Sequence, residues 1–133
     1  DVYKRQGNEN ILYPKWEKGH YKGGIGEYDR LEQARKINRE AADASASWGM
    51  FQIMGFNYAA CGEESIESFV RSMCESEFKQ LLLTANFIKK NSQMLQALQA
   101  RDWAVFAKCY NGPAYAQNRY DVKLEAAYQK YSL

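Results

Sequence analysis

Apolar residues recur at helical spacing along most of the chain. Tyr28, Leu31, Ala34 and Ile37 follow one another at three-residue steps with charged side chains between them, which predicts a helix over 27–37. Similar spacing predicts later helices that begin after candidate caps and a last helix over 120–131; the caps are Asn38, Ser65, Asn91 and Asp102. No segment alternates apolar and polar residues for long, so the predicted class is all-α, with a small β-hairpin possible in the early loop, 8–26.

The central stretch 45–57, SASWGMFQIMGFN, departs from the amphipathic pattern. It combines large apolar side chains with two glycines, Gly49 and Gly55, and no charged residue occurs from position 44 to 61. One interpretation is a helix that is buried on all sides. The other is the floor of a binding cleft, in which Ser47 and Gln52 are polar groups within an apolar wall.

One carboxylate falls inside the longest apolar stripe. This stripe runs from Ile66 to Ile88, and Glu77 lies within it, four residues from apolar neighbours on either side. Such a glutamate is either buried and paired or placed at a bend between two helices. A structural role is favoured over a catalytic one, because structural pairs also perturb pKa values.

Composition limits the functional classes. The 133 residues form one domain with 26% charged residues and a net charge of +2, which gives no support for a nucleic-acid partner. No long apolar run is present, so membrane insertion is not predicted. The N-terminus lacks the order of a signal peptide, so synthesis in the cytoplasm is expected.

The common cofactor and catalytic templates are missing from the sequence. Cys61, Cys74 and Cys109 show no CxxC spacing and lie far from His20, so no metal site and no cofactor are predicted. Reduced core cysteines are expected, with one disulfide left open. No phosphate loop, HExxH motif or GxSxG elbow occurs, which leaves carboxylate chemistry in a cleft rich in aromatic residues.

Tyrosine is abundant, with ten residues, and three of them surround the turn at Asn111. A phenol ring has an apolar face and a polar tip, which suits the faces and hydroxyls of a sugar chain. Tyr110 ends an apolar stripe and is predicted to be in the core. Asn111 and Tyr115 are the better ligand candidates, although such rings can also simply complete a small core.

The first six residues, DVYKRQ, back-translate to GATGTGTATAAGAGACAG, which resembles a transposon end used to prepare sequencing libraries. We therefore expect residues 1–6 to be non-native, adapter-derived sequence, and we expect 7–133 to form the folded domain.

Three motifs resemble the N-acetylmuramidase domain of bacteriophage endolysins and related peptidoglycan hydrolases. They are SASWGMFQIMGFNY followed by CG, SFVRSMCESEFKQL, and DWAVFAKCYNGPAYAQNRYDVKLEAAY, in family order over about 21–131. More distantly, SxxxGMFQI and the YNG turn are similar to segments of goose-type lysozymes and lytic transglycosylases. The resemblance implies a lysozyme-like helical fold with a substrate cleft between two lobes.

The resemblance also implies site residues. Ser47, Gln52, Asn111 and Tyr115 would contact the glycan. In the family, the general-acid glutamate and a second carboxylate lie upstream of the loop that opens this chain. We therefore expect that the catalytic acid lies upstream of these residues, that the domain lacks its N-terminal catalytic helix, and that this chain alone has little or no activity. Glu27 and Glu77 remain as candidate surrogate acids.

By resemblance, the parent protein would cleave the β-1,4 bond between N-acetylmuramic acid and N-acetylglucosamine in peptidoglycan glycan strands. It is expected to be a monomer and to act on the cell wall after its release. A lytic transglycosylase would break the same bond and close an anhydro ring. From another class, a noncatalytic cell-wall-binding module would use the same tyrosines.

Overall fold

A computed structural model describes residues 7–15 and 19–132, and the prediction of a non-native 1–6 segment lies outside these residues. The described chain is mainly helical, which confirms the all-α class. The helices are α1 (Gly26–Ile37), α2 (Arg39–Ser45), α3 (Ile66–Glu75), α4 (Glu77–Lys90), α5 (Ser92–Ala100), α6 (Trp103–Asn111) and α7 (Tyr120–Tyr131). Short 3₁₀ helices cover Gly55–Asn57 and Tyr115–Asn118.

The four predicted caps are confirmed. The side chains of Asn38, Ser65, Asn91 and Asp102 each accept a hydrogen bond from a backbone N–H in the first turn of the following helix. At Ser65 the bond is reciprocal, because the Ser68 hydroxyl accepts from the Ser65 N–H. These bonds satisfy donors that have no partner within the helix, so they fix where each helix starts.

The long apolar pattern is divided between two helices. α3 ends at Glu75, Ser76 has an extended backbone, and Glu77 is the first residue of α4. The predicted bend at Glu77 is therefore confirmed, and its side chain is exposed. α6 ends at Asn111, where Gly112 has a φ of 86° that suits glycine and Pro113 prevents continuation.

The strands lie outside the predicted loop. β1 (Ser47–Trp48) pairs antiparallel with β2 (Ile53–Met54), whereas no strand occurs in 7–15 or 19–25. The interpretation of the central stretch as a buried helix is wrong. Gly49 and Gln52 both have positive φ, at 70° and 54°, so the chain reverses direction between the two strands instead of continuing as a helix. Strands of two residues are too short to show alternation.

The chain divides into two compact units, residues 1–81 and 82–133. In the first unit the buried apolar side chains come from the hairpin, the segment after it and α3; they include Trp48, Ile53, Cys61, Ile66, Phe69 and Met73. In the second unit Met94, Ala97 and Phe106 form a buried cluster. Tyr110 packs against this cluster, which confirms its predicted place in the core.

The apolar stripe of α4 faces solvent, contrary to its predicted burial. Phe78, Leu81 and Leu82 are 66%, 50% and 43% exposed, whereas Leu83 and Thr84 are buried. Three consecutive leucines leave the inward face ambiguous, because at 100° per residue they cover most of one side of a helix. Within the described residues, no helix is long and apolar enough to cross a membrane.

Candidate functional site

The hairpin has an inward face and an outward face. In its register Ser47 lies opposite Met54, and Trp48 lies opposite Ile53. Successive side chains of a strand point to opposite faces. Trp48 and Ile53 are therefore both buried, at 7% and 3% exposure, while Ser47 is exposed.

Two predicted ligand residues meet on the outward side of the hairpin. The Ser47 hydroxyl donates to Gln52 Oε1 at 3.0 Å, and Gln52 Nε2 donates to the Gly49 carbonyl at 2.8 Å. Both side chains are exposed. A primary amide has two N–H donors and an oxygen that accepts twice, so these bonds leave one donor and one acceptor position for a ligand.

A buried arginine–aspartate pair supports the hairpin from α1 and α2. Arg35 Nε donates to Asp43 Oδ1 at 2.6 Å, and Asp43 is only 4% exposed. This hydrogen bond, more than any other contact, raises the pKa of the Arg35 guanidinium. The Asp43 carbonyl accepts from Trp48 Nε1 at 2.9 Å, so the residue that holds Arg35 also holds the inward face of β1.

Gly55 allows the chain after β2 to pass close to α2. A Cβ atom at Gly55 would lie 2.1 Å from the Asp43 carbonyl oxygen, a distance that no side chain can tolerate. The Gly55 N–H donates to the Ala46 carbonyl at 2.9 Å. Glycine is therefore required here for close approach of two backbones.

The other two predicted ligand residues belong to the second unit. Asn111 is exposed at the last position of α6, and Tyr115 is half-buried at the start of the 3₁₀ helix that follows. The Gly112 carbonyl accepts from the Tyr115 N–H at 3.1 Å, which closes the turn between them. Tyr110 instead stacks on Phe106, with ring centroids 5.7 Å apart.

Glu27 orders the loop that precedes α1. One of its carboxylate oxygens accepts from the N–H groups of Gly23 at 2.8 Å and Lys22 at 2.5 Å, and the other accepts from Arg30 at 2.6 Å. The hydrogen bond from Gly23, with help from Lys22 and Arg30, lowers the pKa of this carboxyl group. A carboxylate stabilised in its ionised form is a poor proton donor at neutral pH.

The remaining candidate residues, Glu77 and His20, lie outside the hairpin. Glu77 is exposed in the first turn of α4. His20 is half-buried, and its ring stacks on Tyr13 with centroids 3.8 Å apart. Among residues 7–15 and 19–132, no three His, Cys, Asp or Glu side chains are grouped to hold a metal ion.

An open pocket of about 450 Å³ lies between the first described residues and α1. Its lining includes Asn8, Asn10, Ile11, Gln33 and Lys36. None of the predicted ligand residues contributes to it. The hairpin is the better candidate site, since it brings two predicted polar groups into direct contact.

Gln80 was missed by the sequence reasoning. Its side chain on α4 reaches the hairpin turn, where Oε1 accepts from the Met50 N–H at 2.9 Å. No clear signal was present in the sequence, because the inward face of α4 is known only from the burial of Leu83 and Thr84, which follow Gln80 by three and four residues. A polar residue on an inward face needs a hydrogen-bonding partner.

The comparisons decide the family. The family model described as Muramidase: N-acetylmuramidase matches residues 1–132. The chain belongs to this N-acetylmuramidase family. Its resemblance to phage endolysin muramidase domains is thereby confirmed.

A solved structure of the same kind is similar throughout. The crystal structure of Burkholderia AP3 phage endolysin is 41% identical to this muramidase-family chain, with a TM-score of 0.88 over 98% of the chain. The match confirms the lysozyme-like helical fold. The chain spans 50% of the length of that endolysin. A search of curated proteins finds no match.

Proposed function

We propose that this chain is the glycan-binding part of a peptidoglycan hydrolase that cleaves the β-1,4 bond between N-acetylmuramic acid and N-acetylglucosamine. Membership of the N-acetylmuramidase family and the similarity to a phage endolysin support this class. The observation that carries the proposal is the Ser47–Gln52 pair, a pre-formed polar pair on the hairpin of a family member.

Each candidate ligand residue has a role that its chemistry suits. The Gln52 amide would both donate to and accept from the N-acetyl group or hydroxyls of a sugar, and Ser47 holds that amide in place. Asn111 would supply a second amide from the YNG turn. The half-buried Tyr115 ring offers an apolar face on which a pyranose ring can stack while its hydroxyl remains available.

The general acid is proposed to lie outside these 133 residues. Hydrolysis of a glycosidic bond needs a protonated carboxyl group beside the leaving oxygen. Glu27 is held in its ionised form by three hydrogen-bond donors, and Glu77 is an exposed residue at a helix start. The lowered pKa of Glu27 opposes a protonated carboxyl group, and Glu77 lies outside the hairpin site, so we propose that neither one is the acid and that the chain alone has little activity.

The proposed setting follows from the substrate. Peptidoglycan strands are the partner, and the complete enzyme would act on the cell wall after release from the cytoplasm. Glycoside hydrolysis by paired carboxylates requires no cofactor. We propose that the chain acts as a monomer.

The purified chain should be tested on peptidoglycan for binding and for cleavage separately. Binding is measured by co-sedimentation with purified sacculi, and cleavage by mass spectrometry of released muropeptides. We expect binding with little or no release. Release of reducing-end products would place an acid within this chain, anhydro products would indicate transglycosylation, and absence of binding would refute the proposed function.

Substitution of Gln52 by glycine tests the hairpin without straining it. Glycine tolerates the φ of 54°, so the change removes the amide while the backbone relaxes. Loss of its ligand hydrogen bonds should weaken binding to sacculi about tenfold, or ~1.4 kcal/mol. The matched control is Arg101→Gly, at another residue with positive φ (60°), which should bind as the wild type does. If Gln52→Gly and the wild type bind sacculi with equal affinity, Gln52 is not part of the binding site.

A further inference from the structure

Gln80 bridges three parts of the first unit through one side chain. Its Oε1 accepts from the Met50 N–H at 2.9 Å, and its Nε2 donates to the Met73 carbonyl at 2.9 Å. Gln80 belongs to α4, Met73 to the last turn of α3 and Met50 to the hairpin turn. The amide therefore ties the turn to the junction of the two helices.

The turn fits closely against Gln80. A Cβ atom at Gly49 would lie 2.8 Å from Gln80 Oε1 and 3.1 Å from Met73 Sδ, and Gly49 has a φ of 70°. Both the space and the backbone conformation therefore favour glycine at this position. The turn cannot move towards the helices, and the Met50 hydrogen bond opposes movement away from them.

The same turn fixes the candidate ligand residue. The Gly49 carbonyl accepts from Gln52 Nε2 at 2.8 Å and from the Gln52 backbone N–H at 3.3 Å. Gly49 and Met50 are consecutive, so Gln80 holds the peptide segment on which the Gln52 side chain rests. A chain of hydrogen bonds thus runs from Met73 through Gln80 and the turn to Gln52.

We propose that Gln80 is a positioning residue that sets the geometry of the Gly49–Gln52 turn for glycan binding. It acts through Gln52 and has no contact with the glycan itself. This inference rests on the proposed function, because it assigns Gln80 a part in the same binding site.

The chemistry of the side chain explains why glutamine is required. The site needs an acceptor for the Met50 N–H and a donor to the Met73 carbonyl on one planar group. A glutamate at this position keeps the acceptor but loses the donor, and its charge opposes the Met73 carbonyl. A methionine has nearly the same length and loses both bonds.

These differences separate positioning from stability. Gln80→Glu should lower the melting temperature, because it breaks the bond to Met73, while it retains the bond to Met50. Gln80→Met should release the turn. We expect Gln80→Met to weaken binding to purified sacculi about tenfold and Gln80→Glu to remain within about threefold of the wild type.

The control variant is Gln93→Met on α5, where Gln93 is exposed. Its affinity should equal that of the wild type. Hydrogen exchange of the Met50 amide, followed by NMR, gives a readout that needs no glycan: exchange should accelerate in Gln80→Met and change little in Gln80→Glu.

The outcomes are distinct. If Gln80→Glu weakens binding as much as Gln80→Met does, or if Gln80→Met binds sacculi as tightly as the wild type does, Gln80 is only structural and the inference is wrong. Failure of the wild type to bind sacculi refutes the proposed function, and with it the glycan role of Gln80. In that case the exchange rate of the Met50 amide still shows whether Gln80 holds the turn.

Discussion

At the scale of single residues, burial changes the chemistry of one of three cysteines. Cys61 is 1% exposed, whereas Cys74 is exposed and Cys109 is half-buried, and all three are free thiols. Burial raises the pKa of Cys61 from an ordinary 9.0 to about 11, with a smaller contribution from the Glu63 carboxylate. The prediction that the cysteines lie in the core is confirmed for Cys61 and wrong for Cys74.

The raised pKa of Cys61 predicts a loss of stability in alkali. The folded state disfavours the thiolate of Cys61. The contribution of the protonated thiol to the free energy of unfolding is therefore fully present below pH 9 and is lost as the pH rises through about 11. The free energy of unfolding, measured in urea between pH 8 and 11, should therefore fall more steeply for the wild type than for Cys61→Ala, by roughly 1–3 kcal/mol.

Cys74→Ala is the control for the Cys61 prediction, because it also replaces a cysteine of the first unit by alanine, but the thiol that it removes is exposed. Its pH dependence should match that of the wild type, in which tyrosines and lysines also titrate. Parallel curves for the wild type and Cys61→Ala would contradict the prediction.

Residue types predicted local structure well where a side chain forms a hydrogen bond with the backbone a few residues away in the sequence. Asn38, Ser65, Asn91 and Asp102 were predicted as caps from type and position, and each one caps its helix. The positive φ of Gln52 was beyond such reasoning, because glutamine has no preference for that conformation. It is held there by Ser47 and Gly49, and the sequence does not reveal that contact.

At the scale of elements, α1 and α2 are joined by a buried ion pair. Arg35 Nε and Asp43 Oδ1 are 2.6 Å apart, and their side chains are only 14% and 5% exposed. Arg35 also reaches Glu32, again at 2.6 Å, but that side chain is 60% exposed. One arginine therefore makes a buried pair and an exposed pair of the same length.

Loss of the two partners of Arg35 should have unequal effects. Asp43→Ala removes the buried acceptor of the Arg35 guanidinium, which keeps only its exposed partner, and should lower the free energy of unfolding by about 3 kcal/mol. Glu32→Ala removes the exposed partner, which is screened by water, and should lower it by less than about 1 kcal/mol. Urea unfolding of both variants checks this, and equal losses would show that burial does not set the strength of these pairs.

The helices were predictable as elements, but the hairpin was not. Helical periodicity extends over several turns, and breaks such as Gly112–Pro113 are local signals. The hairpin depends on Gly55 meeting the Asp43 carbonyl and on Gln80 reaching Met50, which are contacts between residues distant in sequence. The family motif predicted that Ser47 and Gln52 matter, but gave no indication that Ser47 lies in β1 and Gln52 in the turn that follows it.

At the scale of the whole molecule, the most unusual surface is the stripe on α4. Phe78, Leu81 and Leu82 lie at helical spacing, and each one is more than 40% exposed. Exposed apolar residues that are contiguous favour association, whereas scattered ones are normal. A protein proposed to be a monomer therefore has a surface that should promote aggregation as its concentration rises.

Replacement of both exposed leucines should reduce that association without loss of stability. We expect Leu81→Gln with Leu82→Gln to remain monomeric in sedimentation velocity at concentrations where the wild type associates. Its free energy of unfolding should stay within about 0.5 kcal/mol of the wild type, because surface substitutions remove little buried area. Glutamine is also a good helix former, so α4 should persist.

Leu83 provides the matched control, since it is the next residue of the same helix but only 5% exposed. Leu83→Gln buries an amide where an alkyl chain packs, so it should lower the free energy of unfolding by about 2–5 kcal/mol. The contrast tests which side of α4 faces inward in the isolated chain. A large loss of stability in the Leu81 and Leu82 variant would mean that this stripe is covered in solution, and the prediction of a solvent-facing apolar surface would be wrong.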